Sequence, residues 1–368
     1  MAGENQVMNP IGISRLGAVN VTGADKDALF LKVFSGEVLQ VFEENNALLP
    51  LVRQRTISSG KSAQFPVTGV ATAKYHTPGE SIMASGTDGS SPADGVLDTS
   101  KYLTQMKHTE RVISIDGMLV SSAFIGDIDE AKNHYDVRSA YSTQIGRELA
   151  YHADRALIRT CIAGARKTTD RFGGSDAKFL GAQVALDTDS PADGVQGDEI
   201  VTGLFTVAQK MDEASVPADG RHCILSPANY YKLVNTASDS VLRAINRDFG
   251  NEGNGSIARG EIVQVAGIRI LKSNHIPTAN ESSTQDAVLG DDLINNDVFT
   301  SDGGYSGANF TATEGICFQT EGLGTVKLLD LAMESEYQLD RLGTLMVAKY
   351  AMGHGILREE CLFELTTA

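Results

Sequence analysis

Tryptophan is absent from this chain of 368 residues, and basic charge is scarce. Its 31 Lys and Arg stand against 47 Asp and Glu, a formal net charge of −16. Phosphate contacts need clustered Lys and Arg, so this balance argues against a nucleic-acid-binding surface. An acidic surface keeps a protein soluble and repels polyphosphate. Long apolar runs are missing too: no stretch approaches the ~18 residues of a membrane-spanning helix. The opening MAGENQVMNP has no apolar signal core, so a reducing cytosol is the expected compartment. The N-x-S/T sequons at Asn20, Asn254, Asn280 and Asn309 then carry little meaning.

Cysteine is sparse and scattered. Cys161, Cys223, Cys317 and Cys361 form no C-x-x-C pair, which excludes a disulfide scaffold or a zinc ribbon. Neither H-E-x-x-H nor G-x-S-x-G occurs. Gly60-Lys61-Ser62 looks like the end of a phosphate-binding loop, but Arg55 stands where that motif needs glycine and no helical pattern follows. Gly253 to Ala258 matches a loose dinucleotide fingerprint without a buried strand before it. Asp187, Asp189, Asp193 and Glu199 hint at a calcium loop, yet Pro191 occupies a ligand position, so an acidic turn is expected. His134 and His152 lie eighteen residues apart on one helical pattern and cannot chelate one ion, and Cys161 reads as a small buried hydrophobe. No catalytic constellation, cofactor or metal is expected. The alternative of a soluble α/β nucleotide-binding enzyme rests on the Gly-Lys-Ser and G-x-G-x-x-A fragments alone.

What the chain does hold is extended architecture. Hydrophobic content of 42% is ordinary, 37 glycines imply many turns, and the length suits two domains or one large one. Asp127 to Ala165 contains no proline, and Tyr141, Ile145, Leu149, Ala153, Ala156 and Leu157 recur at helical spacing. Asp127, Asp129 and Glu130 near its start, with Arg155, Arg159 and Arg166 near its end, complement the helix dipole. Such a helix is a rod of roughly 50 Å at ~1.5 Å per residue.

Residues 1–23 read as an arm. From Ala24 to Asn45, Phe30, Phe34, Val38 and Val41/Phe42 share a helical face, which either packs in the core or meets a partner. Pro50 ends that segment. The runs RTISSG, SAQFPVTG, TAKYHT and ERVISIDG suggest strands over 55–115, interrupted by the Gly/Ser/Asp tract Ser81 to Ser100, a loop tip. A two-stranded excursion cannot bury a face by itself and needs a partner surface.

Lys167 to Gly194 looks irregular. Asp198–Glu213 is a second amphipathic helix, followed by a strand at His222–Leu225, a helical ANYYKLVNTA, and two strands around Ala266-Gly267. Residues 276–310 are loop-like. Pro-Ala-Asp-Gly at 92–95, 191–194 and 217–220 is turn punctuation. From Leu331 to Asp340 alternation is strict, with Leu331, Met333, Tyr337 and Leu339 on the inward side, and a second strand runs to Tyr350. A long hairpin over 331–350 is expected.

Several blocks together resemble the major capsid protein of T-seven-like podophages. They are ALFLKVFSGEVL (28–39), TISSGKSAQFPVTG (56–69), KHTERVISIDGML (107–119), DIDEAKNHYDVRSAYSTQIG (127–146), GTVKLLDLAMES (324–335) and VAKYAMGHG (347–355). The resemblance implies an α+β Hong Kong 97-like phage capsid fold with N-arm, E-loop, P-domain with long spine helix, and A-domain. The implied divisions are an N-terminal arm with its helix (1–54), an E-loop (55–112), a P-domain (113–194, spine helix 127–165), an A-domain (195–324), a P-domain hairpin (325–352) and a C-terminal return to the A-domain (353–368). Two departures stand out: 81–100 enlarges the E-loop tip, and Ile356 and Glu359 replace an expected Gly and Pro.

The implied function is a structural capsid subunit, not an enzyme. It would assemble as hexamers and pentamers into the icosahedral shell of a tailed bacteriophage, in the virion after assembly in the host cytoplasm. The implied partners are copies of itself, a scaffolding protein, a portal protein at one vertex, and packaged double-stranded DNA held without sequence-specific binding; no membrane is involved. Candidate intersubunit or scaffold contacts are Phe30, Phe34, Phe42, Lys61, Phe65, Arg138, Glu148, Tyr337 and Arg341.

Overall fold

The computed structural model describes residues 47–69, 108–128, 138–186, 195–234, 264–281 and 307–367, with single positions between them. The stretch 24–45 with Phe30, Phe34 and Phe42, the tract 81–100, and the dinucleotide-like fragment 253–258 lie outside the described residues. In chain order the strands are β1 (Arg53–Thr56), β2 (Ser62–Thr68), β3 (His108–Ser114), β4 (Leu119–Gly126), β5 (Ala182–Ala185), β6 (Arg221–Leu225), β7 (Gln264–Val265), β8 (Ile268–Lys272), β9 (Thr313–Gln319), β10 (Leu323–Gln338), β11 (Gly343–Ile356) and β12 (Leu362–Thr366). The described helices are α1 (Arg138–Ala165), α2 (Gly197–Glu213) and α3 (Pro227–Val234).

Most of the expected rod is present: α1 is helical for 28 residues, about 42 Å at ~1.5 Å each, and Asp127 and Ile128 are helical, while 129–137 between them lie outside the described residues. Ile145, Leu149, Ala153, Ala156 and Leu157 are buried, as their spacing predicts. Ala150, Ile158, Cys161 and Ile162 are buried as well, because strands cover one side and the turn Leu48–Leu49 another. The dipole reading of the arginines needs correction. Arg159 is 2% exposed, and a buried guanidinium requires a specific partner, so Arg155 and Arg159 both reach Glu281 while Arg166 reaches Glu364. Asp154, fully buried on the same helix, accepts from the Ala47 and Leu48 amides at 2.9 and 3.2 Å and faces His275 Nδ1 at 2.9 Å.

Two sheets flank α1. One has the order β1-β10-β11-β4, and the other β5-β12-β9-β6-β8-β7. Ala348, Tyr350 and Met352 of the first, and Ile316, Phe318 and Leu362 of the second, share a single core with the helix. On the far side of the six-stranded sheet, Ile200, Leu204, Val207 and Met211 of α2 pack on Cys223, Leu225, Phe363 and Leu365. The Glu199 carboxylate accepts from the Gln196 amide at 2.7 Å, so this weighed calcium ligand instead caps a helix. Between β7 and β8, Ala266 (φ 51°) and Gly267 (φ 78°) make the two-residue left-handed turn that their sequence signals.

Four expectations change. The hairpin is longer than 331–350, running Leu323–Gln338 and Gly343–Ile356. The first run after residue 53 is not part of the excursion: β1 pairs in parallel with β10, Arg53 opposite Gly324, because the hairpin offers an open edge there. The described residues of TAKYHT form no strand. Ala182–Ala185, inside the stretch read as irregular, is a strand beside β12; four residues are too few to show a period.

The excursion itself is the ribbon β2–β3. Ala63, Phe65, Ile113 and Ile115 face Val326, Ala351 and Leu357 of the hairpin sheet, while Gln64, Pro66 and Val112 point outward. The Gly-His-Gly of 353–355 is what lets the ribbon lie so close. A Cβ on Gly353 would sit 1.9 Å from the Ser114 carbonyl oxygen, and one on Gly355 2.8 Å from Ile113 Cγ1. Among the described residues no helix is long and apolar enough to cross a membrane, and no group of three or more His, Cys, Asp or Glu is placed to hold a metal ion.

Candidate assembly surfaces

The chain's last turn and strand carry three carboxylates with almost no exposure: Glu359 (0%), Glu360 (1%) and Glu364 (0%). Each draws cations from other elements. Glu359 pairs with Arg111 of the ribbon and, at 3.5 Å, with Lys167 just past α1. Burial, opposed by Glu359, pulls the Lys167 ammonium below the usual lysine pKa. Glu360 pairs with Arg171 and with Arg358 Nε at 2.9 Å. Glu364 accepts from Arg166 Nε and Nη2 at 2.7 and 2.6 Å, from Thr313 Oγ1 at 2.6 Å and from Gln183 Nε2 at 2.9 Å. These ties join the ribbon, the end of α1 and the six-stranded sheet at one place. Sequence reasoning missed them, though acids embedded in the apolar run ILREECLFEL are a signal, since Glu is rarely buried unless paired.

A second knot holds the ribbon root. Asn296 brackets Ser114, accepting from its amide at 3.0 Å and donating to its carbonyl at 2.7 Å. The Tyr305 hydroxyl donates to Asp116 Oδ2 at 2.6 Å and accepts from the His354 amide at 2.8 Å. Burial and the Asp116 carboxylate keep that phenol protonated, well above its ordinary pKa. His354 Nδ1 lies 3.0 Å from Thr325 Oγ1. Burial, then the charge of Lys327, push the His354 pKa down to about 4. The folded site therefore refuses a proton that the unfolded chain accepts below about 6.5. Stability is untouched above that pH and falls by roughly 3 kcal/mol as pH drops from about 6.5 to 4. The thermal midpoint of His354→Gln should lose this part of the wild-type acid sensitivity; an unchanged pH profile would contradict it.

The residues picked from sequence scatter. Lys61 is exposed in the turn before β2 and makes no ion pair among the described residues. Gly60 has φ 116°, and Ser62 opens a strand, so no phosphate-binding helix start follows. Phe65 is a correction: at 9% exposure it packs inside its own chain, because alternation turns it toward the sheet. Arg138 opens α1, with its side chain outside the described residues. Glu148 is exposed and faces His152 at 3.3 Å, an i,i+4 pair of small worth. Tyr337 and Arg341 sit at the hairpin tip. The Tyr337 hydroxyl donates to Asp127 Oδ2 at 2.5 Å, which raises its pKa. Arg341 Nε is 3.8 Å from Asp340.

The tip departs from the expected inward pattern. Leu331 and Met333 pack on the core, but Tyr337 is 46% exposed, Leu339 79% and Leu342 64%. Ile128, 62% exposed, joins them, since the Asp127 amide donates to the Leu342 carbonyl at 3.0 Å. Among the described residues no second layer covers this end, and exposed apolar clusters of this kind mark interaction sites.

The profile of the Gp10A-like family, described as major capsid protein, matches residues 64–366. The major capsid protein of Escherichia phage T7 is 32% identical over 351 residues, covering 92% of each chain. That of Enterobacteria phage T3 is 33% identical over 357 residues, covering 92% of this chain and 91% of the relative. The capsid structure of cyanophage P-SCSP1u superposes with a TM-score of 0.67 at 40% identity, over 96% of this chain and 98% of that one.

Proposed function

The chain belongs to the Gp10A-like major capsid protein family, and on that basis we propose how its surfaces build a shell. It is a structural protein of the tailed-phage virion with the Hong Kong 97-type fold, and its copies assemble into a multimeric capsid. The proposal is that this shell is made of hexamers and pentamers. The four-stranded sheet with α1 serves as the peripheral domain, the six-stranded sheet with α2 and α3 as the axial one, and the ribbon β2–β3 as the root of the E-loop. What supports this reading best is the end of the β10–β11 hairpin, a long lever with exposed apolar side chains that no layer covers among the described residues. Tyr337, Arg341, Lys61 and Glu148 are the exposed candidates for contacts between copies, with Phe30, Phe34 and Phe42 of the amino-terminal stretch. Many modest contacts multiply into a closed shell through symmetry and avidity.

A scaffolding protein guides assembly in the host cytoplasm, and a portal occupies one vertex. DNA is enclosed without sequence-specific binding, because a net charge of −16 leaves few cations for phosphate. Electron microscopy of particles is the test: sixfold and fivefold clusters of this chain are expected, and open tubes or unclustered subunits would contradict the arrangement. Purified shells should retain essentially no free DNA on a filter at physiological salt; tight retention would contradict the charge argument.

A further inference from the structure

At the opposite end of the long hairpin from its apolar tip lies a groove of about 410 Å³ between β2 and the chain just after β11. Phe65, Val67 and Leu357 supply its apolar floor, and Arg53, Arg171 and Arg358 its cations, against one acid, Glu321. Glu321 is taken by Arg358 at 2.8 Å, and Arg53 is exposed with no ion pair among the described residues. Arg171 and Arg358 are both paired with the buried Glu360, and Arg358 with Glu321 as well, so the positive charge left facing the apolar depression is that of the exposed Arg53. The tip has the complementary character: Leu339 and Leu342 stand out beside exposed Glu336 and Asp340, with Arg341 as the nearby cation.

We propose that the hairpin tip of one copy docks in the ribbon-root groove of a neighbouring copy, Leu339 entering the floor and Asp340 meeting Arg53. A single chain cannot make this contact. β10 has 16 residues, and at ~3.3 Å each it holds tip and groove about 50 Å apart. Two different patches that match each other make a heterologous contact, which must propagate from copy to copy until the rotation closes. The proposal rests on the shell reading above and adds which two surfaces meet.

Cysteines at Leu339 and Thr68, the latter exposed on the groove wall, test it by crosslinking. The four native cysteines are buried, and burial raises the pKa of Cys161, Cys317 and Cys361, so the engineered pair is the reactive one. Particles of the double variant, treated with oxidised glutathione, should give a ladder of linked chains on a non-reducing gel, and either single variant should not. Particles of normal shape without the ladder overturn the docking, whether another segment of the chain or another protein covers the tip. Charge reversal is the second readout. Arg53→Glu and Asp340→Lys should each lower particle yield by about tenfold or more, and together restore most of it. A double variant no better than the singles overturns the docking. Wild-type chain that forms no particles under the same conditions would sink the shell reading first, and the docking with it.

Discussion

Replacing Gly353 by alanine is expected to leave little soluble subunit and no particles. The added methyl would stand 1.9 Å from the Ser114 carbonyl oxygen and 2.9 Å from its carbon, a clash with backbone that no rotamer relieves. Ser114 cannot drift away cheaply. Asn296 holds both its amide and its carbonyl, and the adjoining Ile113 is 1% exposed in the cluster that seats the ribbon. Overpacking of ordinary side chains costs about 1–3 kcal/mol. A contact this short against fixed backbone exceeds that range, and domain stability is only about 5–15 kcal/mol. Soluble yield and the thermal midpoint are the measurements. A variant that melts like wild type and assembles would show that β3 does not cross β11 at this point.

Glu364→Leu should destabilise the isolated subunit by about 3 kcal/mol, at the lower end of what breaking a buried ion pair costs. The leucine removes an acceptor serving Arg166, Thr313 and Gln183. Arg166 remains 23% exposed and keeps its bond to the Asn309 carbonyl at 2.8 Å, so water and that carbonyl recover part of the loss. Thr313, 4% exposed, recovers less, because Glu364 has no exposed surface through which water replaces it, while the exposed Gln183 turns to solvent. Glu364→Gln, which keeps an acceptor oxygen, should fall between the two. Urea midpoints read the difference, and a shift worth less than about 1 kcal/mol would mean the carboxylate is not the tie among α1, β5, β9 and β12.

Local order was largely legible in the sequence. The apolar spacing of Ile145, Leu149 and Leu157 marks a helix whatever it packs against, and Ala266-Gly267 marks its turn because the backbone there needs positive φ. Alternation over 331–340 identified a strand. It did not say how far the covering layer extends, so Tyr337 and Leu339 were read as inward although the hairpin outruns its cover. The same limit, reversed, hid how far the ribbon folds Phe65 onto its own sheet, which leaves only 9% of it to line the groove. Glu359, Glu360 and Glu364 were invisible as a group because their partners lie up to 248 residues away. Close approach at Gly353 was equally hidden: a glycine in a strand signals room for something, without naming it.

Hydrogen–deuterium exchange on isolated subunits and on assembled shells compares most directly what one chain buries with what its copies bury. Exchange should slow on assembly at the hairpin tip, Glu334 to Leu342, and along the ribbon strands β2 and β3, while the amides of α1, already covered by both sheets, stay unchanged. Equal exchange at the tip and ribbon in both forms would mean that those pieces are not closed by neighbouring copies, and that the shell is held together somewhere else.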